Sequence, residues 1–242
     1  MYQGNNEFCE LVNKHRKEIK RIIDFDSASE KIVAIDLSDN NPAVIDIDFE
    51  NTEQLSLLMK QLRESAGAKY GIGGYDELRS VYSRSKLFNS NINSTDGSQE
   101  PRRLHLGTDI WGEEGTTVYA PLDGIIHSFA FNDNFGDYGA TLILEHVLYG
   151  IKFHTLYGHL SLKDITGLQK NKEIKAGELI AHFGSENENG NWPPHLHFQL
   201  IKDMDNFEGD YPGVCKLSER EKFLQNCPDP DCVLELNKFT SR

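Results

Sequence analysis

The chain lacks long hydrophobic runs. None of its 242 residues fall in a stretch approaching the roughly eighteen apolar positions of a membrane-spanning helix. Its N-terminus, MYQGNNEFCELVNKHRKEIKRI, has no apolar core of the kind a secretory signal needs. The sequence therefore reads as cytoplasmic, with the cell envelope or the exterior as the alternative if a leader has been removed. Cysteine is sparse: Cys9, Cys215, Cys227 and Cys232 form no CxxC pair, and a chain this long needs no disulfide staples, so reduced thiols are expected. The Cys227–Cys232 spacing is too wide for a zinc knuckle of the CxxC type. Basic residues are outnumbered, 25 Lys and Arg against 38 Asp and Glu, for a net charge of −13 and no basic run. That balance argues against a nucleic-acid partner, which would need a cationic face. Gly71, Gly73 and Gly74 follow no clear strand, so no phosphate-binding loop is expected, and no internal repeat is visible. Asn93-Ser-Thr matches a glycosylation acceptor but carries little weight without a secretory signal.

What is present suits a globular protein, with 38% hydrophobic and 26% charged residues. Apolar residues at helical spacing from Phe8 to Ile23 predict an amphipathic helix over 6–24. KIVAIDL (31–37) and AVIDIDF (43–49), separated by SDNNP, predict a hairpin. Asn51 opens a second helix, with Gln54 in the capping position and Leu55, Leu58, Met59 and Leu62 along one face. Residues 1–66 thus read as a small α+β N-terminal extension for packing or partner binding, and 67–101 as a connector ending in a polar linker over 89–100. From 102 to 201, short apolar runs punctuated by Gly, Asn and Asp predict a mainly β, antiparallel domain. A C-terminal extension over 202–242 holds a short helix at SEREKFLQN and a turn at CPDPD.

The nine histidines are unevenly placed, most of them between positions 105 and 197. In RLHLGTD, His105 and Asp109 offer the nitrogen and carboxylate ligands that zinc accepts, with Gly107 between them to permit a bend. In NWPPHLHFQL, His195 and His197 are two apart, so on a strand they share a face. The preceding prolines hold the chain extended at the strand entry, and Trp192 lies near the mouth of the implied cleft. A catalytic zinc commonly takes three protein ligands and keeps one open position. His105, Asp109 and one histidine of the HLH pair would make that set, and the other would stand beside the metal. A neutral imidazole there can take a proton or hold an oxyanion, and His159 in YGHL, a polar group at the end of an apolar run, becomes a catalytic candidate in company with these motifs. His146, His154 and His182 read as structural or exposed, with His146 able to reach a cleft edge. Tyr157 and Arg103, each two residues before a candidate, are weaker candidates for hydrogen bonds near the site.

HLGTD, G-TTVYAPLDG, YGHL, KAGELIAHFG and PHLHFQ, in that order over residues 102–199, resemble the M23 family of zinc metallopeptidases, the lysostaphin and LytM-like endopeptidases. The resemblance implies zinc held by His105, Asp109 and His197, with His159 and His195 as the catalytic histidines. It also implies peptide or peptidoglycan substrates, with glycine-rich or D-amino-acid cross-bridges cleaved. The segments YGIGGYDELRSVY, GDYPGVC and CPDP resemble a branch in which this domain is fused to kinase-like and aminotransferase-like domains. Two features depart from the cell-wall enzymes: the absent leader, and the loop SENENGNWPP in place of a short Ser/Gly-rich stretch.

The expected function is therefore zinc-dependent hydrolysis of a peptide bond. The alternatives are a catalytically silent scaffold or binding module of the same fold, and a structural zinc site. The full set of five side chains favours the enzyme, because a binding module has no physical need of all five.

Overall fold

In the computed structural model, which describes residues 3–44, 47–89 and 100–241, helix α1 (Gln3–Lys14) is shorter than the helix its apolar spacing predicts. After one 3-10 turn at Arg16–Glu18 the chain becomes extended at Ile19. Ile19, Ile22 and Ile23 are still buried, because the extended segment lies along the sheet: Tyr119 N–H donates to the Ile22 carbonyl, and Ile23 bridges to Val118. Burial of an apolar triplet is thus achieved without a helix.

Among the described residues the predicted hairpin does not form. β1 (Ile32–Ala34) pairs in parallel with β2 (Tyr70–Gly73), from Ile32 opposite Tyr70 to Ala34 opposite Ile72. Pro42–Val44, at the head of the second expected strand, is a 3-10 turn, and Ile45 and Asp46 lie outside the described residues. Local side-chain hydrogen bonds compete with strand pairing here: Asn41 accepts from Ala43 N–H, and Asp36 from Ser38 N–H. A parallel pair needs a crossover, which α2 (Thr52–Ser65) supplies. As its sequence predicts, α2 starts at Asn51, whose side chain accepts from Gln54 N–H at 3.1 Å. The predicted linker and Asn93 fall largely in residues 90–99, outside the described residues.

The remaining strands are β3 (Glu77–Leu78), β4 (Arg102–His105), β5 (Thr108–Trp111), β6 (Thr117–Tyr119), β7 (Gly124–Asn132) and β8 (Gly139–Leu148). They continue with β9 (Ile151–Leu160), β10 (Glu173–Ile174), β11 (Leu179–His182), β12 (His195–Ile201), β13 (Val214–Lys216) and β14 (Thr240–Ser241). Short helices α3 (Leu162–Ile165), α4 (Arg220–Asn226) and α5 (Asp231–Leu234) complete the chain, α4 lying in the segment predicted to be helical. Among the described residues the main sheet runs β10-β7-β8-β9-β12-β5-β2-β1-β14, antiparallel from β10 to β2 and parallel at the β2, β1, β14 edge. A second sheet, β13-β4-β3, stands beside it, and β11 pairs with β6. The mainly β, antiparallel class read from the sequence is what the structure contains.

β12 is interior to the main sheet and buried along its whole length. One large core joins sheet residues such as Ile110, Leu142, Leu196 and Phe198 to α1 and to Val233 and Leu234 of α5. A second core joins α2 to Trp111, Trp192 and Val214. The candidate histidines lie near the junction of the main sheet with the smaller β13-β4-β3 sheet.

Candidate metal centre and its cleft

Two of the singled-out side chains meet by strand pairing alone. On the adjacent antiparallel strands β12 and β5, His197 stands directly opposite Asp109, where side chains on one face approach closely. His105 reaches the same point from the last position of β4, in the other sheet. The H-x-x-x-D motif therefore straddles two strands, and Leu106 and Gly107 carry the chain between sheets. Gly107 was expected to permit a bend; its structural role is a close approach. A Cβ at this position would lie 2.5 Å from His197 Cε1 and 2.6 Å from its Nε2, so only glycine leaves the imidazole its place.

His105 Nε2 lies 2.8 Å from His197 Nδ1, and Asp109 Oδ1 lies 3.2 Å from His197 Nδ1 and 3.3 Å from His105 Nε2. One ligand atom from each of the three residues falls within 4.8 Å of the others, and all three residues are buried. The protons on the imidazoles are assigned by their other partners. His105 Nδ1 is 2.8 Å from the Gly74 carbonyl, which can only accept, so Nδ1 carries the hydrogen and Nε2 a lone pair. Gln199 Nε2 donates to the Pro212 carbonyl, which leaves Gln199 Oε1 to accept from His197 Nε2–H at 2.9 Å. His197 Nδ1 is then also a lone pair. Burial pushes His105 down to about 4, so at neutral pH its Nε2 carries no proton. Burial works to raise Asp109, but His105 and the Arg79 guanidinium outweigh it and hold the carboxyl well below its usual range.

Three lone-pair donors thus converge with no hydrogen-bond donor among them, which is the requirement of a cation. For bonds of the length zinc makes to nitrogen and oxygen, the donor–donor edge of a tetrahedron is about 3.3 Å. Two of the three separations, 3.2 and 3.3 Å, match it. The donor set fits zinc.

His159 and His195 stand beside this triad with rings stacked, centroids 4.1 Å apart. Each spends its Nδ1–H on a backbone carbonyl: His159 on Asn189 at 2.7 Å, His195 on Pro193 at 2.8 Å. Each therefore presents Nε2 as a bare acceptor, that of His195 lying 3.9 Å from Asp109 Oδ1. Burial lowers His195 to about 4, and burial together with the neighbouring His195 holds His159 well below its ordinary value, so both are neutral bases at neutral pH. Trp111 stacks on the other face of His195, centroids 4.0 Å apart, and fixes its plane. A cleft of ≈ 240 Å³ opens onto these groups, walled by Tyr82, Phe88, Tyr138, Trp192, Phe207 and Tyr211.

All five expected site residues come together, and Trp192 lies in the cleft wall as expected. Two weaker candidates do not reach it. Tyr157 shares a face with His159 only in a regular strand, and His159 has φ 62 while the β8–β9 pairing shifts register between Ala140 and Leu142. Tyr157 consequently packs on Phe198 in the core, and its hydroxyl accepts from Thr155. Arg103 turns away to the Phe88 carbonyl and Asn89. His146 is structural, held between the Asp123 carbonyl and Thr155, and does not line the cleft. His182 pairs with Asp164 and His154 with Glu145. Gln199, Asn189, Tyr138 and Arg79 went unnoticed in the sequence. Gln199 had a signal, since it lies two residues after His197 on the same strand face; the others had none.

Residues 103–208 match the family described as Peptidase family M23. Over 97 residues the chain is 35% identical to the DD-carboxypeptidase/endopeptidase Mpg of Neisseria meningitidis serogroup B, covering 40% of this chain and 20% of that protein. A Haemophilus influenzae protein described as an uncharacterized metalloprotease is also 35% identical, over 98 residues, covering 40% of this chain and 18% of its own. The chain thus spans about a fifth of the length of the curated relatives it matches. Among solved structures, the catalytic domain of lysostaphin from Staphylococcus simulans aligns at 22% identity and TM-score 0.38, over 64% of this chain and 92% of that one. A zinc containing peptidase from Vibrio cholerae aligns at 26% identity and TM-score 0.34, over 53% of this chain and 39% of that one.

Proposed function

We propose, from the match of residues 103–208 to peptidase family M23 and from the geometry of the site, that the protein is a zinc metalloendopeptidase in which His105, Asp109 and His197 hold the metal. Zinc supplies Lewis acidity, polarising a carbonyl and making water nucleophilic near neutral pH. The chain's own residues then have separate tasks. The carbonyls of Asn189 and Pro193 keep His159 and His195 in the tautomer whose Nε2 accepts. One of these two imidazoles takes the proton of the attacking water; it then carries an N–H that can be passed to the leaving amine. The other presents a second bare Nε2 to the same cleft, where it accepts a hydrogen bond from that water and orients it. Trp111 and the aromatic wall keep both rings oriented and limit water in the cleft. The substrates in keeping with this site are peptides, with glycine-rich or D-amino-acid cross-bridges of peptidoglycan first; the Neisseria relative is described as a DD-carboxypeptidase/endopeptidase.

The observation that carries this reading is the convergence of three lone pairs beside two imidazoles whose Nε2 atoms are bare. The test combines zinc content with turnover on pentaglycine and on D-alanine-containing muropeptides. Asp109→Ala is expected to lose zinc and hydrolysis together; His195→Ala is expected to keep zinc and lose hydrolysis by about 10²-fold or more. Full hydrolysis by the Asp109 variant would sink the assignment. Stoichiometric zinc in the unaltered chain, with no peptide cleaved, would favour a scaffold.

A further inference from the structure

Arg79 lies outside the residues that match the family, yet its guanidinium reaches the centre of the site. The side chain is 1% exposed. Its Nη1 donates to Asp109 Oδ2 at 2.6 Å, on the side of the carboxylate away from His105 and His197, while its Nε donates to Glu77. The backbone is anchored as well: Arg79 N–H donates to the Arg103 carbonyl at 2.9 Å. Gly74 makes room for it. This glycine has φ +103, and a Cβ there would lie 1.8 Å from Arg79 Nη2. The same Gly74 supplies the carbonyl that holds His105. A short stretch, Gly74 to Arg79, therefore supplies the outer contacts of two of the three candidate ligands.

A carboxylate can meet a metal with one oxygen or with both. The charge-assisted bond on Asp109 Oδ2 is short and directional, and it engages that oxygen. Glu77 on the other side of the guanidinium offsets its charge, so the contact places Asp109 with little net repulsion of a cation. We propose that Arg79 is a positioning residue for the metal, holding Asp109 so that Oδ1 alone faces His105 and His197. The inference rests on the metal site proposed above and adds that this site is completed by a segment upstream of the peptidase domain.

The test uses the full chain loaded with Co²⁺ in place of zinc, with visible d–d absorption as the readout. The unaltered chain is expected to give the intense bands of a four-coordinate ion. Arg79→Met frees Oδ2, and the bands are expected to lose intensity as Asp109 turns to offer both oxygens; apparent Co²⁺ affinity falls by about 10- to 100-fold. A merely structural role would lower the melting temperature and leave the spectrum unchanged. A folded Arg79→Met chain with the unaltered spectrum therefore overturns the inference while leaving the metal site standing. An unaltered chain that takes up no Co²⁺ overturns both. A crystal structure of the zinc-loaded, unaltered chain provides the check that needs no variant: one Asp109 oxygen on the metal is the expected result, and two would refute the role of Arg79.

Discussion

Gln199 offers a sharp test of how the site is prepared for a cation. Its Oε1 accepts from His197 Nε2–H at 2.9 Å, and that bond keeps the lone pair on Nδ1, facing His105 and Asp109. Gln199→Leu removes the acceptor while roughly keeping the volume. The buried Nε2–H of His197 is then left without its amide partner, at a cost of about 1–3 kcal/mol. The imidazole has an escape: it can carry its proton on Nδ1 instead, where Asp109 Oδ1 lies 3.2 Å away and accepts it. That tautomer consumes the lone pair the metal needs, so a metal must displace a hydrogen-bonded proton to bind. The expected weakening is about 10- to 100-fold, or about 1.4–2.7 kcal/mol, the usual effect of losing an outer partner of a ligating histidine. Competition with a chelator of known affinity, followed calorimetrically at neutral pH, measures it. Gln199→Glu keeps an acceptor at the same position and is expected to retain the affinity that the leucine variant loses. Unchanged zinc affinity in a folded Gln199→Leu chain would refute the tautomer argument.

Two further outcomes follow from packing and burial. His146, 1% exposed and bonded to the Asp123 carbonyl and Thr155, is pushed by burial from 6.5 down to about 4. With the folded value below the unfolded one, the unfolded chain binds more protons in the interval between them, so stability is full above 6.5 and is lost as pH falls toward 4. Between pH 7 and 5 this one group should remove about 2 kcal/mol; urea titrations at the two pH values should show His146→Gln losing that much less than the unaltered chain, and equal losses would contradict the account. Gly107→Ala places a methyl group 2.5 Å from the His197 ring, so the ring must move. Bound zinc is expected to fall below stoichiometric in this variant, and a full complement of metal would show that the close approach is not needed.

Much of the site was legible because its elements are local. The period of two along HLHFQL placed His195 and His197 on one face, and the structure pairs that strand through its length with β5 and β9. Asn51 and Gln54 announced α2, since a helix cap is a contact between near neighbours. Reading failed where a local pattern had two physical solutions. Ile19, Ile22 and Ile23 satisfy a helical period, yet an extended chain laid on the sheet buries them equally well. The strand at 32–34 had a plausible partner nearby, and instead α2 carries the chain over to pair it with 70–73. Tyr157 followed the alternation rule until the left-handed backbone at His159 broke it.

The sequence by itself singled out the groups to which the proposed chemistry is assigned: the nitrogens of His105, His159, His195 and His197 and the carboxylate of Asp109. It also determined that strands would present them. Only the tertiary structure decided their protonation and orientation, through the Gly74, Asn189 and Pro193 carbonyls, the Gln199 amide and the Arg79 guanidinium. Pro193 and Gln199 are each two residues from the histidine they hold; Asn189, Gly74 and Arg79 each lie about thirty residues from the side chain they orient. A buried polar group must find a hydrogen-bond partner wherever packing brings one, and packing brings together segments whose separation along the chain carries no record of the meeting.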